Sequence, residues 1–258
     1  MKALPDKDFL FGLADAADAQ SLPRFRMNGA IDNKIEGDFD PVTEADRACE
    51  QAIRALIEAR YPDHSILGEE FGTSGDSALQ WVIDPIDGTR AFISGVPLWG
   101  TLVGLTVDGI ARVGIMSQPY IGERFWADGG ASWCEGPAGL RQLAVRRTEE
   151  LASATVFTTS PHLFSADARG RFEALESACR LTRYGTDCYA FAMLAAGQID
   201  LVVEPGLKPY DIVALIPIVE QAGGVISTFG GGRAEGGGDI IAAATPALHA
   251  AAMKAMAG

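Results

Sequence analysis

Apolar residues at Phe9, Leu10, Leu13, Ala16 and Ala17 recur with the period of one helix face, which predicts a helix across residues 6–27. The Gly- and Asp-containing stretch NKIEGDFDP at 33–41 interrupts that rhythm. It resumes in EADRACEQAIRALIEARY, where Ile53, Leu56 and Ile57 share a face, Thr43 stands at the N-cap position and Pro62 ends the helix. The short apolar runs HSIL (64–67) and LQWVI (79–83) read as strands, and each delivers acidic residues at its C-terminal end. From Thr101 to Trp126 the runs TLVGLTV, ARVGIMS and RFWA are separated by turns at Asp108-Gly109 and Ile121-Gly122, the pattern of an antiparallel meander. The LAV run at 143–145 is expected to join the same sheet.

Beyond residue 150 the pattern becomes strand (154–159), helix (164–178), helix (188–197), strand (200–204), helix (210–223), strand (239–244) and a final helix. Strands alternating with helices suggest a second layered α/β half. The chain is therefore expected to divide into 1–148 and 149–258, with the boundary near 147–152. The glycine-rich FGGGRAEGGGD (229–239) lacks the strand–G-x-G-x-x-G–helix context of a dinucleotide site and reads as a mobile hairpin loop.

A chain of 258 residues can bury a large core, in one compact unit or two closely packed halves. Its formal net charge of −13 argues against a nucleic-acid partner, which needs clustered Lys and Arg. The acidity has two readings: carboxylates that keep the protein dispersed, and carboxylates that hold divalent cations. Cys49, Cys134, Cys179 and Cys188 are scattered without a C-x-x-C pair and read as small buried hydrophobes of a reducing compartment. No apolar run suits a secretion signal or approaches the roughly 18 residues of a membrane helix, so a soluble, cytoplasmic protein is expected.

Motif spacing sharpens the picture. In WVIDPIDGTRAF (81–92) a buried strand ends at Asp84, Pro85 keeps Asp84 extended, and Asp87 follows one turn later before Gly88 and Thr89 open a helix. Two carboxylates, the Ile86 carbonyl and the Thr89 hydroxyl thus converge, an oxygen set that suits a hard divalent cation. The same helix start offers N–H groups and a positive dipole end to a phosphate. Asp-Pro and Asp-Gly pairs are equally at home as plain turn and cap residues. Glu69 and Glu70 leave the end of the neighbouring strand; Asp211 begins a helix, where it also suits a cap; Thr43 and Asp46 suit a cap and its dipole complement.

Taken together, G-E-E at 68–70, D-P-I-D-G-T at 84–89, V-T-E-A-D at 42–46, and Y-D-I followed by E-Q-A-G-G at 210–224 resemble the inositol monophosphatase superfamily of metal-dependent sugar phosphatases. The resemblance covers nearly the whole chain. It implies a layered αβαβα sandwich and a magnesium cofactor of about two or three ions. By the same resemblance Glu69, Asp84, the Ile86 carbonyl, Asp87 and Asp211 match magnesium ligands. Thr89 with Glu69 matches the pair that activates the attacking water, and Asp46 with Thr43 matches its support. The backbone of Gly88 and Thr89 matches the phosphate-holding turn. The implied mechanism is direct in-line attack by water, with no phosphoenzyme. The D-x-D-G-T signature of aspartate-nucleophile phosphatases needs acids two apart, whereas Asp84 and Asp87 are three apart with proline between them.

Within the superfamily, DPIDGTRAFISGVPLWGTLVGL (84–105) and YGTDCYAFAMLAAGQIDLVVEPGLKPYDI (184–212) look most like the histidinol-phosphatase branch. The resemblance implies histidinol phosphate as substrate, a place in histidine biosynthesis and a homodimer; inositol phosphate and related esters are the alternative, and a non-catalytic metal- or phosphate-sensing module the distant one. Asp187 and Glu204 are expected to face the cationic end of that substrate, and Asp187 also suits a helix cap. Asp40 stands where many relatives carry Ser, an extra acid close to the metal cluster. Lys34 is given no role, Trp99 is expected to pack, and His64, His162 and His249 match no ligand pattern.

Overall fold

The computed structural model describes residues 4–27, 31–33 and 41–257, with the backbone alone at 31–33, 41 and 42. Lys34 and Asp40 lie outside the described residues. The chain runs through α1 (Lys7–Ser21), the paired strands β1 (Ile31–Asn33) and β2 (Pro41–Thr43), and α2 (Glu44–Arg60). Next come β3 (Ser65–Gly68), β4 (Gly72–Ser74), β5 (Leu79–Asp87) and the single turn α3 (Thr89–Ile93). The meander follows as β6 (Gly100–Val107), β7 (Ile110–Gln118), β8 (Glu123–Ala127), β9 (Ser132–Gly136) and β10 (Gly139–Gln142). After it lie β11 (Thr155–Thr158), α4 (Ala166–Ala178), β12 (Leu181–Tyr184), α5 (Tyr189–Ala195) and β13 (Leu201–Leu207). The chain closes with α6 (Pro209–Ile212), α7 (Leu215–Gln221), β14 (Val225–Thr228), β15 (Gly238–Ala243) and α8 (Pro246–Ala257).

These elements build the αβαβα sandwich. One sheet has the order β10-β9-β8-β7-β6-β5-β3-β4 and the other β12-β11-β13-β15-β14. Side chains alternate along each strand, so the apolar run of β5 serves two cores. Trp81 and Ile83 pack under α1 and α2 with Leu10, Leu13, Ile53 and Ile57. Val82 faces the opposite way, into a central layer of α5, α6 and α7. The second sheet divides likewise: Val202 and Ile240 face that central layer, whereas Leu201, Val203 and Ile241 pack against α4 and α8.

Two glycines let the central layer seat on the first sheet. Gly104 and Gly114 are cross-strand partners on β6 and β7, and a Cβ on Gly114 would lie 2.1 Å from the Ala214 carbonyl oxygen. At Gly104 an added Cβ would come within 2.9 Å of the Ala214 backbone. Ala214 joins α6 to α7, so this contact fixes the depth at which α6, with Asp211, sits against β5.

Several boundaries differ from the sequence reading. The first helix stops at Ser21 and continues as turns to Phe25 and Met27 rather than as helix to 27. LAV (143–145) is not a strand: the Leu143 N–H donates to Ser132 O, and the Val145 N–H turns away to Ala222 O. The edge position goes to β10, held by its hairpin with β9. The helix expected over 210–223 breaks between Ile212 and Leu215. The strands β4, β9, β10, β12 and β14 are short or exposed and carried no strong pattern. The glycine-rich segment is a hairpin connection, since β14 and β15 pair antiparallel on either side of it. Trp99 is fully buried against Phe25 and Phe92.

Candidate active site

The site forms where β5 departs from regular pairing. Asp84 opposes Leu102 and Asp87 opposes Gly100, three steps on β5 against two on β6. In a regular strand, residues three apart point to opposite faces; the extra residue returns both carboxylates to one side. Pro85 suits this bulge because it has no N–H to leave unpaired. Its carbonyl accepts the Thr101 hydroxyl at 2.8 Å, and the Ile86 N–H turns back to Asp84 Oδ1 at 3.1 Å. The strand therefore runs to Asp87 rather than ending at Asp84. The second sheet repeats the device: Glu204 opposes Ile240 and Leu207 opposes Gly238, with Pro205-Gly206 as the bulge.

Each candidate ligand arrives by a different route. Glu69 follows β3, and its N–H donates to Ile83 O beside Asp84 at 3.1 Å. Asp211 lies in the first turn of α6, where Oδ2 accepts the Lys208 N–H at 2.7 Å. Asp87 Oδ2 accepts the Cys188 N–H at 2.7 Å. Asp84, Asp87 and Asp211 each offer an oxygen within 4.8 Å of the others. The Glu69 carboxyl lies close enough to Asp84 and Asp211 to raise both through its charge. The Thr89 hydroxyl donates to Ile86 O at 3.1 Å.

Burial, then mutual repulsion, raises these acids above the ordinary carboxylate range. Asp84 is pushed well up by burial and then by Glu69, Asp87 and Asp211. Asp87 is pushed well up by burial and then by Asp187 and Asp211. Asp211 reaches about 6, with burial the first cause. Lys208 bears on Asp211 as a lesser opposing charge, and a hard divalent cation would supply the counter-charge that oxygens crowded this closely need. The residues fit such an ion, with Asp84, Asp87 and Asp211 as the converging donors and Glu69 alongside.

Thr43 and Asp46 form a reciprocal cap on α2: Asp46 Oδ2 accepts the Thr43 N–H at 2.8 Å and its hydroxyl at 2.6 Å. Among the described residues no hydrogen-bond partner meets the buried Asp46 Oδ1. Burial first, and Glu69 among the lesser causes, raises the Asp46 pKa.

A cleft of about 300 Å³ opens beside the cluster, lined by Asp87, Gly88, Thr89, Asp187, Glu204 and Asp211 among others. Asp187 has φ 43° and does not cap α5, whose N-cap is Cys188. Burial lifts the Asp187 carboxyl to about 6 against the opposing pull of Arg90 and a Thr159 hydrogen bond. Burial likewise lifts Glu204 to about 8, although Oε1 accepts both the N–H and the hydroxyl of Thr159, at 2.6 and 3.0 Å. Arg90 and Thr159 line the cleft and were not singled out from sequence. Arg90 directly follows the D-P-I-D-G-T run, so a signal for it existed; Thr159 follows the ordinary strand β11 and carried none. The histidines lie elsewhere: His64 accepts the Trp81 indole N–H at 3.1 Å, His162 sits in an exposed turn, and His249 meets the Ser227 hydroxyl at 2.9 Å. No helix among the described residues is long and apolar enough to cross a membrane.

Comparison with known proteins agrees with this architecture. The chain is 41% identical over 224 residues to the bifunctional phosphatase IMPL2 of Arabidopsis thaliana, covering 86% of this chain and 63% of that longer protein. It is 35% identical over 245 residues to a histidinol-phosphatase of Chlorobaculum parvum, covering 95% and 93% of the two chains. A solved inositol monophosphatase from Zymomonas mobilis superposes with a TM-score of 0.87 at 39% identity, covering 97% of each chain. The family model for the inositol monophosphatase family matches residues 7–257. The chain belongs to the inositol monophosphatase family and is a phosphatase of that superfamily.

Proposed function

We propose that this chain is a magnesium-dependent hydrolase of histidinol phosphate. The supporting observation is that the cleft beside Asp84, Asp87 and Asp211 is walled by two further acids, Asp187 and Glu204. A cationic leaving group gains a charge-assisted hydrogen bond from Asp187 and favours the ionised form of Glu204, neither of which a neutral sugar ring does. The likeness to a histidinol-phosphatase over most of both chains points the same way.

In this reading Glu69, Asp84, the Ile86 carbonyl, Asp87 and Asp211 hold two or three magnesium ions; the four carboxylates balance about two, and the substrate phosphate brings the charge for a third. When bound, the ions supply positive charge against the phosphate and the departing oxygen and make a water more acidic. Glu69 takes up the proton of the attacking water at its carboxylate. The Thr89 hydroxyl already donates to Ile86 O, so its lone pairs accept from that water and aim it at phosphorus. Asp46, fixed by Thr43, supports this arrangement from beneath. The N–H groups of Gly88 and Thr89 receive the phosphate oxygens.

A second reading, hydrolysis of inositol 1-phosphate, draws support from the Zymomonas relative. Phosphate release from histidinol phosphate, inositol 1-phosphate and fructose 1,6-bisphosphate, measured side by side with magnesium, separates the two. A preference for histidinol phosphate is expected. A preference for either sugar phosphate removes the substrate assignment and leaves the phosphatase.

A further inference from the structure

Helix α2 carries three buried polar residues at successive four-residue intervals, Asp46, Glu50 and Arg54, and therefore on one face. Asp46 lies at the cluster described above. The other two grip the turn between β3 and β4. Glu50 Oε2 accepts the Glu70 N–H at 2.7 Å, and Oε1 accepts the Phe71 N–H at 3.3 Å and Arg54 Nε at 2.7 Å. Arg54 donates onward to the Ser74 hydroxyl at 3.0 Å and to the Gly72 carbonyl. The fit leaves no room at Gly68, where a Cβ would stand 1.8 Å from Glu50 Oε1.

A buried ion pair contributes little net stability compared with apolar residues of the same volume, because desolvating both charges offsets their attraction. What this pair does supply is direction. It takes up the N–H groups of the two residues after Glu69, so the peptide plane joining Glu69 to Glu70 cannot rotate without breaking a buried hydrogen bond.

We propose that Glu50, with Arg54, is a positioning residue that holds the 68–74 turn so that Glu69 stays against Asp84 in the cation cluster. The proposal rests on the reading of Glu69 as a metal ligand. Loss of a group that orients a ligand weakens metal binding about 10- to 100-fold.

The test measures Mn2+ binding to metal-free protein by electron paramagnetic resonance, together with amide hydrogen exchange of the peptide spanning 66–74. Circular dichroism checks that each variant is folded. Glu50→Gln and Gly68→Ala disturb the same contact from its two sides. Both are expected to weaken Mn2+ binding about tenfold and to speed exchange in that peptide. Glu69→Gln is expected to weaken binding and leave the exchange unchanged. If Glu69→Gln weakens binding while Glu50→Gln and Gly68→Ala bind as the wild type does, the clamp is refuted. Weaker binding with unaltered exchange also refutes it. If Glu69→Gln itself binds normally, the metal reading beneath it fails instead. Should Glu50→Gln not fold, Gly68→Ala carries the same comparison.

Discussion

The backbone N–H of Cys188 donates to Asp87 Oδ2 at 2.7 Å across 101 residues of chain. This bond ties the bulged end of β5 to the start of α5 and sets Asp187 against Gly88. A Cβ on Gly88 would lie 3.4 Å from Asp187 Cβ and 3.1 Å from the Leu98 carbonyl oxygen. The Gly88 turn and the acid at the cleft wall are thus one packed unit, although they come from distant parts of the chain.

That unit makes substrate selectivity testable. Asp187→Ala is expected to raise KM for histidinol phosphate about tenfold or more, the loss of one hydrogen bond to a charged group. KM for inositol 1-phosphate should move little. Steady-state kinetics on both esters check this, and equal losses on the two would show that Asp187 only supports the fold.

Metal binding should depend on pH with a definite sign. Asp211 has its pKa raised to about 6, and Asp84 and Asp87 are also raised. A cation must displace whatever protons these acids hold, so affinity rises as pH increases through about 6. Mn2+ titrations at a series of pH values read the slope. An affinity that is flat between pH 5 and 7 would contradict the prediction.

Stability of the metal-free protein should run the opposite way. The Glu204 pKa is raised in the folded state from 4.5 to about 8. Its stabilising contribution is therefore complete below the unfolded value and disappears as pH climbs through the folded one. Thermal unfolding should show a lower Tm at pH 8.5 than at pH 5.5. Glu204→Gln keeps an oxygen for the Thr159 N–H and should reduce that pH dependence, raising Tm at pH 8.5 by a few degrees. An unchanged slope in the variant would count against the assignment.

The glycine pair under Ala214 offers a mechanical test. Gly114→Ala drives a methyl into the Ala214 carbonyl, and overpacking of this kind destabilises by about 1–3 kcal/mol. Because Ala214 follows Asp211 closely in the chain, the same substitution should also weaken metal binding. Gly170→Ala on α4 meets nothing within 4 Å and serves as the control. It should be neutral or stabilise by up to about 1 kcal/mol. Denaturant unfolding and Mn2+ titration of the two variants give the comparison.

Local pattern carried the long helices, the β5–β8 core of the meander and the acids themselves, because periodicity and proline placement act over a few residues of chain. Thr43 and Asp46 were legible as a cap, and Asp84 and Asp87 as neighbours. Proline after an acid at a strand end was read at Pro85; the same step at Glu204-Pro205 went unremarked. Other features depended on partners the local pattern does not name. The bulge that turns Asp84 and Asp87 to one side exists only relative to β6. The depth at which α6 and Asp211 seat depends on Gly104 and Gly114, which looked like ordinary strand glycines. The hold of Glu50 on the Glu69 turn needs a helix and a hairpin to close on each other. Chemistry was written in residue types and short spacings; the convergence of that chemistry required the packing of two sheets about a shared helical layer, a long-range balance of contacts that no short stretch of the chain contains.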